Sequence, residues 1–156
     1  MNRIFLFLLV ISGACTGSLT KEQRENIREN MKNGAIQKVN EAQILDAAYA
    51  LGREVAGDYL ADVSAKATLE NKHQVVIREL LPDQPGLSEK EQGVLAAYVA
   101  GAAENKMGDN VQKLGTDTIV YTQPITRERP DGSLEFIKAI GIRMPVKQLV
   151  LSIPEE

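Results

Sequence analysis

The 156-residue chain contains one cysteine, one histidine and no tryptophan. That leaves almost no material for a zinc site of the usual Cys/His kind, or for a thiol–imidazole pair. Aromatic residues make up only 4% of the chain, too few for a base-stacking platform or a sugar-binding surface. The net charge is −3 and no basic patch stands out, which argues against nucleic acid as a partner. The glycines are scattered and no Gly-x-x-x-x-Gly-Lys occurs, so there is no phosphate-binding loop. No serine stands in a nucleophile-elbow context around His73. The carboxylates lie in polar helix or loop settings where nothing would raise a pKa. The expectation is therefore a non-enzyme with no metal and no cofactor. What the chain does have is ordinary for a globular protein: 44% apolar and 25% charged residues, enough for a core without staples.

The N-terminus is less ordinary. Arg3 and the amino group precede the unbroken apolar run Ile4 to Ile11, then the small residues Ser12, Gly13 and Ala14, then Cys15. The run is far shorter than the ~20 residues a spanning helix needs. Positive start, short apolar run and small residues together form an export signal over residues 1–14. The stretch resembles the lipobox of bacterial lipoproteins, whose cysteine becomes the first mature residue and carries lipid. Ser12 departs from that pattern, which has Leu, Val or Ile there. An ordinary signal peptidase using Ser12 and Ala14 would cut the same bond, leaving a free thiol in an oxidising compartment. Lipid attachment at Cys15 is the expected outcome, placing the protein in the cell envelope on the periplasmic or outer face of a bacterial membrane.

Residues 15–34 read as a polar tether passing into a helix. Thr20 and Gln23 have capping-box spacing, and Ile27 and Met31 give a thin apolar seam before the break at Asn33-Gly34. Residues 35–156 read as one domain. Leu45, Ala48, Leu51, Val55, Tyr59 and Val63 recur at helical steps, which predicts one helix over Ala35 to Leu69. "HQVVIRELL", His73 to Leu81, predicts a strand running into the loop Pro82 to Gly86, with His73 on the surface at its head. Ser88 and Glu91 fit a second capping box. The helix it opens runs to about Asn105, with Val94, Leu95, Tyr98 and Val99 as its apolar side, and Gly108-Asp109 form a turn.

The last third is β-rich. "TDTIVYTQPIT" puts Ile119, Tyr121, Gln123 and Ile125 on one strand face. Arg129-Pro130-Asp131-Gly132 is a hairpin turn, with Arg127 and Arg129 keeping its tip soluble or contacting an anion. Strand alternation puts Leu134, Phe136, Ile140, Ile142 and Met144 on one face, interrupted by Lys138, with Arg143 on the other. "VKQLVLSI" fits a final strand or a short helix. The sum is α+β: an antiparallel sheet flanked by two main helices and preceded by a polar helix.

Four segments carry a resemblance: "ALGREVAGDYLADVSAKA", "VIRELLPDQPGLSEKEQGVLAAYVAG", "IVYTQPI" and "IKAIGIRMP". Together they resemble the PAS-like, haem-binding periplasmic domains found as single-haem cytochromes and as sensors of membrane histidine kinases. Tyr121, Pro124 and Ile125 match the family strand that precedes the haem segment. Ile137 to Ile140 and Met144-Pro145 approximate the strand that follows it. The family's Cys-x-x-Cys-His is missing, and the interval is only "TRERPDGSLEF". The family's Arg-Asn-Pro stretch is also not kept, Arg78 being followed by Glu79-Leu80. Covalent haem is excluded by composition, and His73 alone could ligate a non-covalent one. The resemblance implies the fold without its cofactor. The resulting expectation is a membrane-tethered binding or sensing module, with a pocket between sheet and helices lined by Tyr98, Tyr121, Phe136, Arg143 and Met144. It would take a small ligand or an envelope protein partner. The competing expectation is a structural or accessory envelope lipoprotein that acts through its surface.

Overall fold

A computed structural model describes residues 20–26, 39–102 and 104–154. The export signal, Cys15, the Ile27/Met31 seam, the Asn33-Gly34 break and the expected helix start at Ala35 lie outside the described residues. The chain divides into two compact units, Met1–Gln37 and Lys38–Glu156. In the first, residues 21–26 are helical. The expected capping box opens them: Gln23 N–H donates to Thr20 Oγ1 at 3.2 Å, and Thr20 N–H donates to Gln23 Oε1 at 3.0 Å.

The second unit is α+β. Its elements run α1 (Glu41–Ala61), a 3₁₀ turn (Val63–Ala65), α2 (Lys66–His73), β1 (Val76–Leu80), α3 (Glu89–Ala102), β2 (Asn110–Leu114), β3 (Thr118–Glu128), β4 (Leu134–Pro145) and α4 (Val146–Ser152). The four strands form one open antiparallel sheet in the order β1-β4-β3-β2. No described helix is long and apolar enough to cross a membrane.

Because successive strand residues point to opposite faces, the register assigns each side chain to a side. Ile77, Ile119, Tyr121, Ile140, Ile142 and Met144 share one face and pack on Ala48, Val55, Ala56 and Tyr59 of α1, Leu69 of α2 and Leu149 of α4. Leu80 and Ala139 lie on the other face and pack on Val94, Leu95 and Tyr98 of α3. Both faces are therefore covered, and Val120 and Thr122 between the inward residues of β3 are each only 1% exposed.

The expected single helix over Ala35 to Leu69 is two helices. Asn40, not an earlier residue, caps α1. Its Oδ1 accepts from Gln43 N–H and its own N–H donates to Gln43 Oε1, both at 2.9 Å. The break comes at Asp62, whose carboxylate accepts from Ser64 N–H at 2.9 Å and Ser64 Oγ at 2.6 Å, tightening the chain into the 3₁₀ turn. Val63 sits in that turn and is 57% exposed, rather than on the buried stripe.

The strand expected from His73 begins only at Val76. Residues up to His73 are the end of α2, which Gln74 terminates in the left-handed region at φ 54°. Glu70 ties α2 to β1, accepting from Ile77 N–H at 2.8 Å. The second helix ends at Ala102 rather than Asn105, and its Val99 is exposed while Val94, Leu95 and Tyr98 are buried. Gly108 and Asp109 lead directly into β2, a strand with almost no alternation to announce it. "VKQLVLSI" is helical, as α4.

One register shift matters most. Ile125 pairs with Lys138 but Thr126 pairs with Phe136, so Ile137 is an extra residue in β4, a β-bulge. Past it, every side chain changes face. Leu134 and Phe136 therefore do not share the side of Ile140, Ile142 and Met144. Phe136 turns towards α3, its ring 5.6 Å from that of Tyr98. Lys138 keeps the other side, where its Nζ donates to Glu79 Oε1 at 2.6 Å.

Candidate functional site

The residues expected to line one pocket are divided between the two faces. Tyr121 and Met144, 1% and 0% exposed, fill the core beneath α1. Gly52 lets the Tyr121 ring lie directly on the α1 backbone, since a Cβ there would overlap the ring. The space between the "IVYTQPI" strand and α1 is thus occupied at this point by a side chain. Tyr98, Phe136 and Arg143 lie on the α3 side. Arg143 is on the opposite face from Met144, as strand alternation requires, and it alone of the five lines the groove described next.

Arg143 projects from β4 to Glu91, the third residue of α3. The guanidinium donates from Nε at 3.0 Å and from Nη2 at 2.7 Å to Glu91 Oε1, and again from Nη2 to Oε2 at 2.7 Å. Glu91 also completes the expected capping box. Its Oε2 accepts from Ser88 N–H and Ser88 Oγ at 2.8 Å each, while its own N–H donates to Ser88 Oγ at 3.2 Å. The carboxylate is 1% exposed. Burial pushes the Glu91 carboxyl up, but Arg143 and the two Ser88 bonds outweigh it and hold the group below its ordinary value. A local cap thus becomes a tertiary anchor between α3 and the sheet.

Above this pair lies a groove of about 630 Å³. Val76, Leu114, Gly115 and Pro145 give it apolar walls. Arg143, Thr118, Gln74 and the first residues of α3, Ser88 to Lys90, give it polar ones. Val76 is paired with Arg143 across β1 and β4 and is 51% exposed. Lys90 Nζ is drawn to the β2 carbonyl of Lys113 at 2.6 Å, closing one rim. The ingredients are those of a small-molecule site: mainly apolar lining and a few convergent polar groups.

Farther along the α3 side, the Tyr98 O–H donates to the Thr122 carbonyl at 3.0 Å, and the Thr122 hydroxyl lies 2.9 Å away. Burial pushes the Tyr98 phenol up to about 12. It stays a neutral donor at any physiological pH. On the α1 side a second polar cluster escaped the sequence analysis because its members are far apart in the chain. Asp109, just before β2, binds Arg53 of α1 at 2.5 Å and accepts from the Tyr121 O–H at 3.2 Å. The Arg53 bond holds the Asp109 carboxyl below its ordinary value, and burial foremost raises the Tyr121 phenol. Arg53 also lies 5.3 Å over the Tyr49 ring, a cation–π contact. Only the Gly108-Asp109 pair hinted at this place.

The hairpin where the resembled family carries haem is closed by its own bonds. Arg129 N–H donates to the Ser133 carbonyl at 2.8 Å, and Asp131 accepts from Ser133 N–H at 2.9 Å. Arg127 and Arg129 both pair with Glu135, at 2.6 and 3.5 Å. Those residues offer no iron ligand. His73 is not the surface residue expected at a strand head: it ends α2 with its side chain only 11% exposed, facing Glu54 of α1. The residues present do not fit the haem of the resembled family. No family model, curated protein or solved structure matches this chain.

Proposed function

We infer that this is a lipid-anchored envelope protein whose second unit is a non-haem, PAS-like binding or sensing module. Its ligand site is the groove over Arg143, and the ligand is a small, mainly apolar molecule with one end that accepts hydrogen bonds. The observation that carries the reading is the groove itself: apolar walls around a guanidinium fixed by a buried carboxylate, at the N-terminal end of α3, whose peptide dipoles favour negative charge. The PAS-like part rests on the sequence resemblance of four segments and on the α+β class with an antiparallel sheet. The four segments that carry the resemblance fall on α1 to α2, β1 through α3, β3 and β4.

The test uses short aliphatic and aromatic carboxylates as probes, followed by amide NMR. Saturable shifts at Val76, Thr118 and Arg143 are expected, and Val76→Trp, which fills the groove from an exposed position, is expected to abolish them. Shifts elsewhere only, or shifts that survive Val76→Trp, would overturn the assignment. The anchor is tested separately by intact mass of the membrane-extracted protein. A mature chain beginning at Cys15 with added acyl mass is expected; the same chain without it overturns lipidation.

The accessory-protein reading has one observation in its favour. Val99, 51% exposed, borders both a cleft of about 780 Å³ along residues 82–87 and one of about 450 Å³ beside Phe136. A carrier of that surface would retrieve an envelope partner by crosslinking through Val99, with the groove left empty of ligand shifts.

A further inference from the structure

Glu54 and Asp58 stand four residues apart on α1, so their side chains leave the helix on the same side. His73, at the end of α2, faces them. The imidazole is the odd member. Its Nε2 is buried and has no hydrogen-bond partner, and the side chain is only 11% exposed. The nearest carboxylate oxygen, Glu54 Oε1, is 3.9 Å away, too far for a hydrogen bond. A buried ring nitrogen left unpaired is destabilising. It lies beside two carboxylates that could have been placed to satisfy it directly. One ligand atom from each residue, a ring nitrogen of His73 and one oxygen of Glu54 and of Asp58, lies within 4.8 Å of the others.

We propose that Glu54, Asp58 and His73 bind one divalent transition-metal ion between α1 and α2. A cation placed among the three atoms gives Nε2 the partner it lacks and draws together two carboxylates that otherwise repel. Glu54 and Asp58 are exposed, so their side chains are free to change rotamer towards the ~2.0–2.2 Å bonds of such an ion. The imidazole sets the class. Nitrogen with two carboxylates suits zinc and its neighbours, whereas calcium and magnesium prefer oxygen alone. Three protein ligands leave a position for water or a small molecule. Glu54 also borders a cleft of about 460 Å³ that reaches Ser152, the last residue of α4, and the following Ile153 and Pro154. The site shares no residue with the groove over Arg143, so either can fail without the other.

His73 is the only histidine, so its imidazole NMR signals are unambiguous. The full chain carrying Cys15→Ser, which removes the competing thiol, is titrated with Zn²⁺. Saturable one-to-one shifts of the His73 ring are expected, together with paramagnetic shifts on Co²⁺. Glu54→Gln with Asp58→Asn changes only exposed positions and should leave the fold intact by circular dichroism. It should weaken Zn²⁺ binding by roughly 100-fold or more, beyond what loss of a supporting contact causes. His73 signals that stay still at millimolar Zn²⁺, or an unchanged affinity in the double variant, would overturn the site. Equal response to Mg²⁺ or Ca²⁺ would overturn the transition-metal class.

Discussion

The two faces of the sheet are closed by different means. On the α1 side the buried contacts are mainly apolar and close: Ile77, Ile119, Ile140, Ile142 and Met144 pack with Ala48, Val55 and Ala56, Gly52 brings the helix backbone onto Tyr121, and the polar Arg53–Asp109 pair stands at the more exposed edge. Each such fully buried aliphatic side chain contributes about 1.5–3 kcal/mol. On the α3 side a smaller apolar cluster is supplemented by polar groups: Glu91, buried, with the partly exposed Arg143, and Tyr98 with Thr122. The difference is one of tolerance. An apolar face loses stability in proportion to the volume removed or forced in. A face built on a buried ion pair is indifferent to the pair's joint replacement but intolerant of losing one member. It is also the face that bears the groove over Arg143.

The largest break in this comparison should come from Glu91→Ala, which takes the partner from Arg143 and removes the side-chain half of the α3 capping box, the bonds from Ser88. A loss of about 2–4 kcal/mol is expected in urea unfolding, from the charged hydrogen bonds and the half of the capping box that go. Glu91→Leu combined with Arg143→Met should recover most of it, because no buried charge is left. If the double variant is as unstable as the single, the pair contributes more than mutual compensation. The pH dependence follows the same logic. A carboxyl held below its unfolded value of about 4.3 stabilises the fold fully above that value. The contribution fades as pH falls towards the folded-state pKa. Stability should therefore drop in acid below about pH 5. The fall should be shallower in the Glu91→Leu/Arg143→Met protein, as acid titration by circular dichroism would read.

On the apolar face, Gly52→Ala should cost about 1–3 kcal/mol, since its methyl must push the Tyr121 ring off the helix. A neutral result would mean that α1 can lift from the sheet. The smallest effect belongs to Tyr98→Phe. It removes the donor to the Thr122 carbonyl while keeping the ring contact with Phe136, for about 0.5–1.5 kcal/mol. A loss nearer that of Glu91→Ala would erase the ranking within the α3 face.

Local signals were legible in the sequence wherever the chemistry is local. The Thr20/Gln23 and Ser88/Glu91 boxes, the alternation of Ile119, Tyr121 and Ile125, and the turn at Asp131-Gly132 each depend on residues a few positions apart. Misread stretches were those where a side chain overrides periodicity. Asp62 breaks a stripe that otherwise runs on to Leu69, and Gln74 ends a helix where β-branched residues already suggest a strand. β2 has no pattern of its own and exists because β3 offers it a partner.

By itself the sequence determined the α+β class, the Thr20/Gln23 and Ser88/Glu91 boxes, the strands β3 and β4 and the lack of a Cys-x-x-Cys-His motif, all of which follow from composition or short-range spacing. Only the tertiary structure decided which side chains meet. The bulge at Ile137 sent Phe136 to the face opposite Met144. The fold joined Glu91 to Arg143 across 52 positions, and set His73 against Glu54 and Asp58. Such meetings depend on register and on how helices cross the sheet. A one-residue shift reverses them without altering the local pattern that a sequence displays.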